Sequence, residues 1–442
     1  MKSSSVSPLQ VAFKTWDGVL RSWKIPRTVY PPREDTQFLS DVLKEELRNR
    51  NSCRILEIGP GSGAVTMALA LEGHRVTAID IHPEAVAVTR GVAESHGLSE
   101  QIIVHEQDVR TLNFDSSYDL IVWNAPYLDP ISPGAQTFQW RDEVSLTASV
   151  ADHQYLSSNI QRGQGLGENG FLLLILSDGD TCKQISRVYA DDGWAMRPLA
   201  RTRHGGEHLV ALCLWRPWPE SRIFTLEEAE STNQVALETI GLEPGDRVVA
   251  KNQTSGKGRK GRTWDSRTGD LTSSWVLPTI GQVIEKPHII QLRSALAATD
   301  AVQRWTGSTS IAFDSANAWH NSLGLKWPND LMIFDKKYGG ILLEARQQGL
   351  ESRIVLGIGI NISQAPQPWG SLSELNPSGD VEQLTHHMTA AIAHWFDRGP
   401  AGAPPSDAET LGIAHRAMSR WGAERQQPLS LNQDGLLFVQ EP

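Results

Sequence analysis

Between residues 54 and 123, short apolar runs alternate with segments of helical spacing, and this alternation limits the possible folds most. Arg54–Ile58 reads as a strand and ends in Glu57-Ile58-Gly59-Pro60-Gly61-Ser62-Gly63, after which Ala64–Leu71 reads as a helix. Arg75–Ile79, ending at Asp80, reads as a second strand, and Pro83–Ser95 as a second helix. Ile102–His105, followed by Asp108, and Tyr118–Trp123 continue the series, and Phe171–Leu176 and His208–Trp215 extend it. Parallel neighbours need a crossover connection, which a helix supplies. The pattern therefore predicts a doubly wound parallel sheet with a ligand at the carboxyl ends of its strands. Ahead of it, Gln37–Asn49 carries apolar residues at helical spacing, with Asp35 or Thr36 placed to cap its start.

Gly59, Gly61 and Gly63 make a tight strand-to-helix turn that a ligand can approach closely, and Asp80 stands where an acid accepts hydrogen bonds from ribose hydroxyls. The glycines alone leave the ligand open, because Gly59–Ala64 also satisfies the dinucleotide pattern G-x-G-x-x-G/A. Asn124-Ala125-Pro126-Tyr127 resembles the N-P-P-Y motif of S-adenosylmethionine-dependent methyltransferases that act on planar nitrogens. Pro31-Pro32-Arg33-Glu34-Asp35-Thr36 resembles the leading segment of the glutamine-amide methyltransferases of peptide release factors, and the likeness spans Val29–Pro130. This resemblance implies that Glu57, Gly59, Gly61 and Asp80 hold the cofactor and that Asp108 meets its adenine. It also implies that Asn124 and Tyr127 hold the substrate nitrogen. Ala125 replaces the first proline of the motif, and residues 1–30 stand where bacterial members carry a long helical substrate domain. The methyl acceptor is therefore left open. So is the choice between an active methyltransferase and a binding module that keeps the fold.

The second half turns on Ser255-Gly256-Lys257-Gly258-Arg259-Lys260-Gly261-Arg262-Thr263-Trp264. Glycines bring backbone N–H groups close to an anion, and Lys and Arg add charge, Arg with a planar fork suited to phosphate. The run reads as a clamp over a phosphorylated species, or equally as a solvated basic loop. Its company includes Ser231-Thr232-Asn233, Gln253, Lys326-Trp327-Pro328-Asn329-Asp330, Lys336-Lys337-Tyr338-Gly339-Gly340 and Gly357-Ile358-Gly359-Ile360-Asn361. In this order the motifs resemble the catalytic domain of biotin protein ligases over Phe224–Ser363.

That resemblance implies an enzyme that joins biotin to ATP, with release of pyrophosphate, and passes the acyl group to a lysine of a carrier protein. Ser231, Thr232, Asn233 and Gln253 would meet the ureido ring. Lys337 would bridge carboxylate and phosphate, with Lys336 as the neighbouring alternative. Arg259, Arg262, Gly256, Lys257 and Lys326 would surround the phosphates, and Trp264 would cover the adenine. Asp330, beside Asn329, would orient the incoming amine or a magnesium ion. Gly339, Gly340, Gly357 and Gly359 would allow close backbone approach, and Asn361 would be a further binding residue. A ligase for lipoate or another acid is the alternative, against which the clamp and Lys326–Asp330 are of the biotin type.

The expected fold is thus an α/β Rossmann-like class I methyltransferase domain followed by an α+β biotin/lipoate ligase-like domain with a reduced C-terminal cap. The boundaries fall at residues 1–220, 221–398 and 399–442, with the prolines of Trp215–Ser221 marking the first. Glu227–Ile240, Val283–Trp305 and Val381–Phe396 read as helices, with His386 and His387 on the surface. Gly399–Pro405 reads as a hinge and Leu429–Val439 as a hairpin about Asn432–Gly435. Net charge of −10 over 442 residues argues against a general nucleic-acid binder. Cys53, Cys182 and Cys213 fit no metal spacing, and no apolar run is long enough for a signal peptide or a membrane span. A reduced, cytoplasmic protein that does not act at a membrane is the expectation. No DNA-binding helix-turn-helix precedes the ligase half, so a repressor is not expected.

Overall fold

The computed structural model describes residues 7–125, 149–204, 207–258, 263–264, 266–278, 286–307, 322–348, 351–376, 380–422 and 429–439. The chain divides into two compact units. The first comprises Met1–Tyr189, Met196–Trp215 and Pro400–Gly402, and the second Ala190–Ala195, Arg216–Gly399 and Ala403–Pro442.

The first unit opens with a hairpin of β1 (Leu9–Lys14) and β2 (Leu20–Ile25), where the sequence shows little pattern. Helix α1 (Glu34–Leu47) follows. Arg33 occupies its cap position, and Thr36 Oγ1 accepts from Arg33 N at 3.1 Å, so neither Asp35 nor Thr36 is the cap residue itself. Asp35 instead turns inward and is buried. Then come β3 (Arg54–Ile58), α2 (Ala64–Leu71), β4 (Arg75–Asp80), α3 (Pro83–Ser95), β5 (Ile102–Glu106) and β6 (Tyr118–Asn124). After these lie α4 (Val150–Gly163), β7 (Leu166–Ser177), α5 (Asp180–Asp191), β8 (Ala195–His204) and β9 (Glu207–Trp215).

The sheet order is β5-β4-β3-β6-β7-β9-β8. From β5 to β7 neighbours run parallel, and the central runs Leu120–Trp123 and Phe171–Leu176 are apolar and buried at every position. The expected all-parallel sheet holds only that far, since β9 runs antiparallel to β7. The reason is local: β8 and β9 are neighbours joined across residues 205–206 alone, and so short a connection admits no parallel return. Order reverses between β3 and β6, which opens a crevice at their carboxyl ends.

The second unit is built on the sheet β10-β11-β14-β18-β17-β16-β15. Its strands are β10 (Ile223–Ala229), β11 (Arg247–Gln253), β14 (Leu271–Leu277), β15 (Leu323–Lys326), β16 (Asp330–Ile333), β17 (Lys336–Gln348) and β18 (Glu351–Ile360). A ribbon of β12 (Gly256–Lys257) and β13 (Thr263–Trp264) lies beside it. One face packs on α7 (Pro287–Trp305), α8 (Val381–Phe396) and α9 (Asp407–Gly422) around Trp275, Trp305, Trp395 and Leu356. The other face carries α6 (Thr232–Glu238), whose Ala236 packs with Val248, Val276 and Val355.

Three expectations change here. The helix expected over Glu227–Ile240 starts at Thr232, because Ile223–Ala229 pairs in parallel with β11 and its last residue meets Gln253. Helix α9, not expected from the sequence, adds Ile413, Ala414, Ala417 and Met418 to the core, while β19 (Leu429–Leu431) and β20 (Leu437–Val439) form the expected hairpin. His387 is fully buried, sharing the inward stripe of α8 with Leu384 and Met388, whereas His386 is exposed. No helix among the described residues is long and apolar enough to cross a membrane.

Candidate functional site

In the second unit the strand alternation sorts β18 into two sets. Ile354, Leu356, Ile358 and Ile360 enter the helical core. Val355, Gly357 and Gly359 face the other side, where Gly357 pairs with Leu342 and Gly359 with Gly340. This glycine floor lies under a cavity of about 540 Å3. The cavity is walled by Ser231, Thr232, Asn233, Gln253, Lys257, Trp264, Lys326, Asn329, Asp330, Lys337, Gly340, Gly359 and Asn361, each of them expected. Gly256 sits behind the wall, where a Cβ would meet Trp264 O at 2.4 Å. Arg259 and Arg262 lie outside the described residues.

The floor must be glycine for space. A Cβ at Gly359 would stand 2.6 Å from the Trp264 indole, and one at Gly357 would stand 2.1 Å from Asn233 Oδ1. Trp264 therefore lies on the sheet itself, with no partner for its Nε1 among the described residues.

Lys337 enters this face through an irregularity. Asp330 and Leu331 pair with Gly340 and Gly339, but Met332 and Ile333 pair with Lys337 and Lys336, so Tyr338 is an extra residue. The bulge reverses the alternation: Tyr338 goes into the core and Lys337 into the cavity. Lys337 Nζ meets Asp330 Oδ1 at 2.7 Å. It also stands 5.6 Å from the ring of Trp264 and 5.7 Å from that of Trp369. Trp369 is a lone Trp after a proline, which gives no signal in the sequence. Lys336 points elsewhere, to Glu374 at 3.4 Å.

At the far end, α6 begins directly after β10 and presents three buried polar residues, Ser231, Thr232 and Asn233. Thr232 N donates to Gln253 Oε1 at 2.9 Å. Asn233 Nδ2 donates to Leu342 O and to Glu344 Oε2, at 3.2 and 2.8 Å. Asn329 is tied to the backbone, donating to Ile341 O at 2.9 Å, and Asn361 donates to Gly370 O at 3.1 Å. These two hold the floor strands and their connections in place. Asp330 is the sole carboxylate among the described lining residues, and no described cluster of three or more His, Cys, Asp or Glu fits a metal. A magnesium ion there would take its other ligands from phosphate oxygens and water.

In the first unit the crevice at the sheet's switch point is a cavity of about 460 Å3. It is lined by Glu57, Gly59, Gly61, Asp80, Asp108 and Asn124, as expected, and also by Tyr30 and Trp123. Gly63 caps α2 instead, and a Cβ on it would press on Thr89 at 3.2 Å. Gly59 has φ of 68°, and a Cβ there would meet nothing within 4 Å, so the turn needs its glycine for backbone conformation and leaves its space open. Asp80 Oδ1 accepts from His82 N at 2.9 Å, and burial raises its pKa above the usual carboxylate range. Burial pushes the Glu57 carboxyl up to about 7, against the lowering effect of the Thr66 hydroxyl bonded to it. The Arg110 guanidinium holds the Asp108 carboxyl below its ordinary value.

Asn124 stands at the end of β6, and its Nδ2 donates to Asp35 Oδ2 at 2.9 Å. A carboxylate only accepts, so the amide orientation is fixed. Asn124 Oδ1 is then a buried acceptor with no partner among the described residues. Tyr127 lies outside the described residues. Asp35 falls in the segment that resembles the glutamine-amide methyltransferases, but nothing in the local sequence marks its inward turn.

Two family models match the chain, the "Biotin/lipoate A/B protein ligase family" over residues 226–361 and the "Methyltransferase domain" over residues 55–137. The chain is 30% identical to biotin–[acetyl-CoA-carboxylase] ligase of Paracoccus denitrificans over 182 residues, which are 38% of this chain and 71% of that protein. It is 24% identical to the release factor glutamine methyltransferase of Fusobacterium nucleatum over 219 residues, 48% of this chain and 61% of that enzyme's length. Among solved structures, biotin protein ligase of Leishmania major in complex with biotin is 25% identical with a TM-score of 0.38, covering 50% of this chain and 98% of that one. A stretch matching the methyltransferase domain model thus precedes one matching the ligase family model, and the chain spans about three-fifths of the length of that glutamine methyltransferase. By its second unit it belongs to the biotin/lipoate A/B protein ligase family.

Proposed function

We propose that the second unit activates biotin with ATP and transfers it to a lysine of a carrier protein, and that the first unit methylates a planar nitrogen from S-adenosylmethionine. The observation that carries the ligase reading is the single cavity that holds Lys337, Lys257, Lys326, Gln253 and the Ser231–Asn233 triplet over one glycine floor.

In the first step an oxygen of the biotin carboxylate attacks the α-phosphorus of ATP. The bond to the bridging oxygen breaks, and pyrophosphate leaves with the electron pair. Two anions must approach one another, so placed positive charge is the chief requirement. Lys337, paired with Asp330 and near the rings of Trp264 and Trp369 in the same cavity, would supply that charge. In the second step a neutral lysine amine of the carrier attacks the acyl carbon. AMP leaves, the amide forms, and the amine's proton passes to solvent or to Asp330 once Lys337 has turned to phosphate. Pyrophosphate release measured with biotin, lipoate and octanoate, with Lys337→Ala as control, tests this. Turnover with lipoate in preference to biotin would overturn the acid assignment.

For the first unit the donor set fits S-adenosylmethionine. Asp80 would accept from the ribose hydroxyls, the Gly59–Gly61 backbone would pass beside the amino-acid part, and Asp108 would meet the adenine. The cofactor supplies an electrophilic methyl group. The protein's part is to hold the acceptor: Asn124 Oδ1, set by Asp35, takes an N–H hydrogen bond and so turns the nitrogen toward the methyl group. Labelled methyl transfer to a cell extract by the full chain, against Asn124→Ala, tests this. Cofactor binding without any transfer would leave the unit a binding module.

A further inference from the structure

Ser274 lies in β14, buried on the face opposite Trp275, where it pairs with Gly357 across the sheet. Its Oγ is 2.6 Å from Asn233 Oδ1 and 2.7 Å from Thr232 Oγ1. A serine hydroxyl has one proton, so it donates to only one of these. Asn233 decides which. Its Nδ2 is committed to Leu342 O and Glu344 Oε2, both acceptors, so its Oδ1 must face Ser274 and can only accept. Ser274 therefore donates to Asn233, and the Thr232 hydroxyl donates to Ser274 at 2.7 Å in preference to Gln253 Oε1, which lies 3.3 Å from it. The Thr232 oxygen is left with lone pairs alone on the cavity side. In the same way Gln253 Oε1 is taken by Thr232 N, which leaves the Gln253 amide hydrogens for the cavity.

We propose that Ser274, which does not line the cavity, is a positioning residue that fixes the hydrogen-bond polarity of this end of it. Through it Thr232 is an obligate acceptor, standing beside Gln253 as an obligate donor. The matching ligand edge carries an N–H next to a carbonyl, as a cyclic urea does. An acid with a purely apolar head leaves both groups unpaired, which is costly in a buried site. This rests on the reading of the second unit as a biotin ligase. It adds the device by which that unit discriminates among acids.

The test uses the full chain, with Ser274→Ala and Ser274→Thr, and steady-state pyrophosphate release. The probes are biotin and its two mono-N-methylated ureido isomers. With wild type, one isomer is expected to show a KM at least tenfold above that of biotin. In Ser274→Ala the Thr232 hydroxyl keeps only the longer 3.3 Å contact with Gln253 Oε1 and can turn toward the cavity, so the KM for biotin rises about tenfold, the factor that about 1.4 kcal/mol represents. The gap between biotin and that isomer narrows, while the KM for ATP and kcat stay within threefold. Ser274→Thr keeps the hydroxyl and restores the gap. An unchanged biotin KM in Ser274→Ala overturns the proposal, as does an equal loss toward biotin, both isomers and ATP, which marks a packing role only. Wild type that turns over no biotin at all overturns the ligase reading itself, a result distinct from both.

Discussion

Replacing Lys337 by alanine should do more than delete a cation, because Asp330 stays behind. In the wild type the two side chains form a pair at 2.7 Å, each about one-fifth exposed, so the cavity presents a net charge near zero at that point. At about 4 Å and an effective dielectric of about 20, two unit charges interact by about 4 kcal/mol. Loss of that attraction toward the reacting carboxylate and phosphate corresponds to about a thousandfold in rate. In Lys337→Ala the Asp330 carboxylate also repels both substrates. Asp330→Asn should therefore act with opposite signs in two backgrounds. In the wild type it loosens Lys337 and lowers activity by up to about tenfold. In Lys337→Ala it removes a repulsion and raises activity by about tenfold, a coupling that a double-mutant cycle reads directly. Biotin-dependent exchange of pyrophosphate into ATP isolates the first step and is the assay of choice. Exchange in Lys337→Ala within threefold of wild type would refute the mechanism. A further fall on adding Asp330→Asn would show that Asp330 acts on the substrates by itself.

Three other outcomes follow from the geometry. Glu57 has its pKa raised by burial from 4.5 to about 7, so the fold keeps the proton longer than the unfolded chain does. Its contribution to stability is present below pH 4.5, declines as pH rises to about 7 and is level above. Glu57→Gln should thus melt at a higher temperature than wild type at pH 8, by the equivalent of about 3 kcal/mol, and no differently at pH 4.5; equal melting at pH 8 would contradict this. Gly357→Ala forces a methyl group to 2.1 Å from Asn233 Oδ1, which is locked on both sides, so about 1–3 kcal/mol of overpacking and a biotin KM raised at least tenfold are expected from calorimetry and kinetics. Lys336→Ala, by contrast, loses only the exposed pair with Glu374 and should leave exchange activity within twofold.

The contrast between Lys336 and Lys337 shows how far the sequence could be read. The first unit is legible because runs such as Leu120–Trp123 and Phe171–Leu176 are buried on both faces and stand as apolar stretches between helices. Its limits came where tertiary pairing overrode local pattern. Glu227 and Glu228 look helical, yet they extend β10 because β11 lies alongside. The mixed stripe of α9 follows a run rich in Gly and Pro and gave no clear period. The floor strands are harder still. β14 is buried at every position, so no alternation of apolar and polar residues marks which face Ser274 shares. On β17, counting back from the cavity residue Gly340 in steps of two selects Tyr338 and Lys336, the wrong pair. The bulge at Tyr338 shifts the count by one, and only the pairing of Met332 with Lys337 reveals it. A bulge leaves no fixed residue signature of the kind a helix cap or a type I′ turn does. The lysine that enters the cavity is therefore set by a strand slip at a fully buried tyrosine. A site in which one residue of register exchanges an ammonium for a phenol has its specificity written in the sheet as much as in the loop above it.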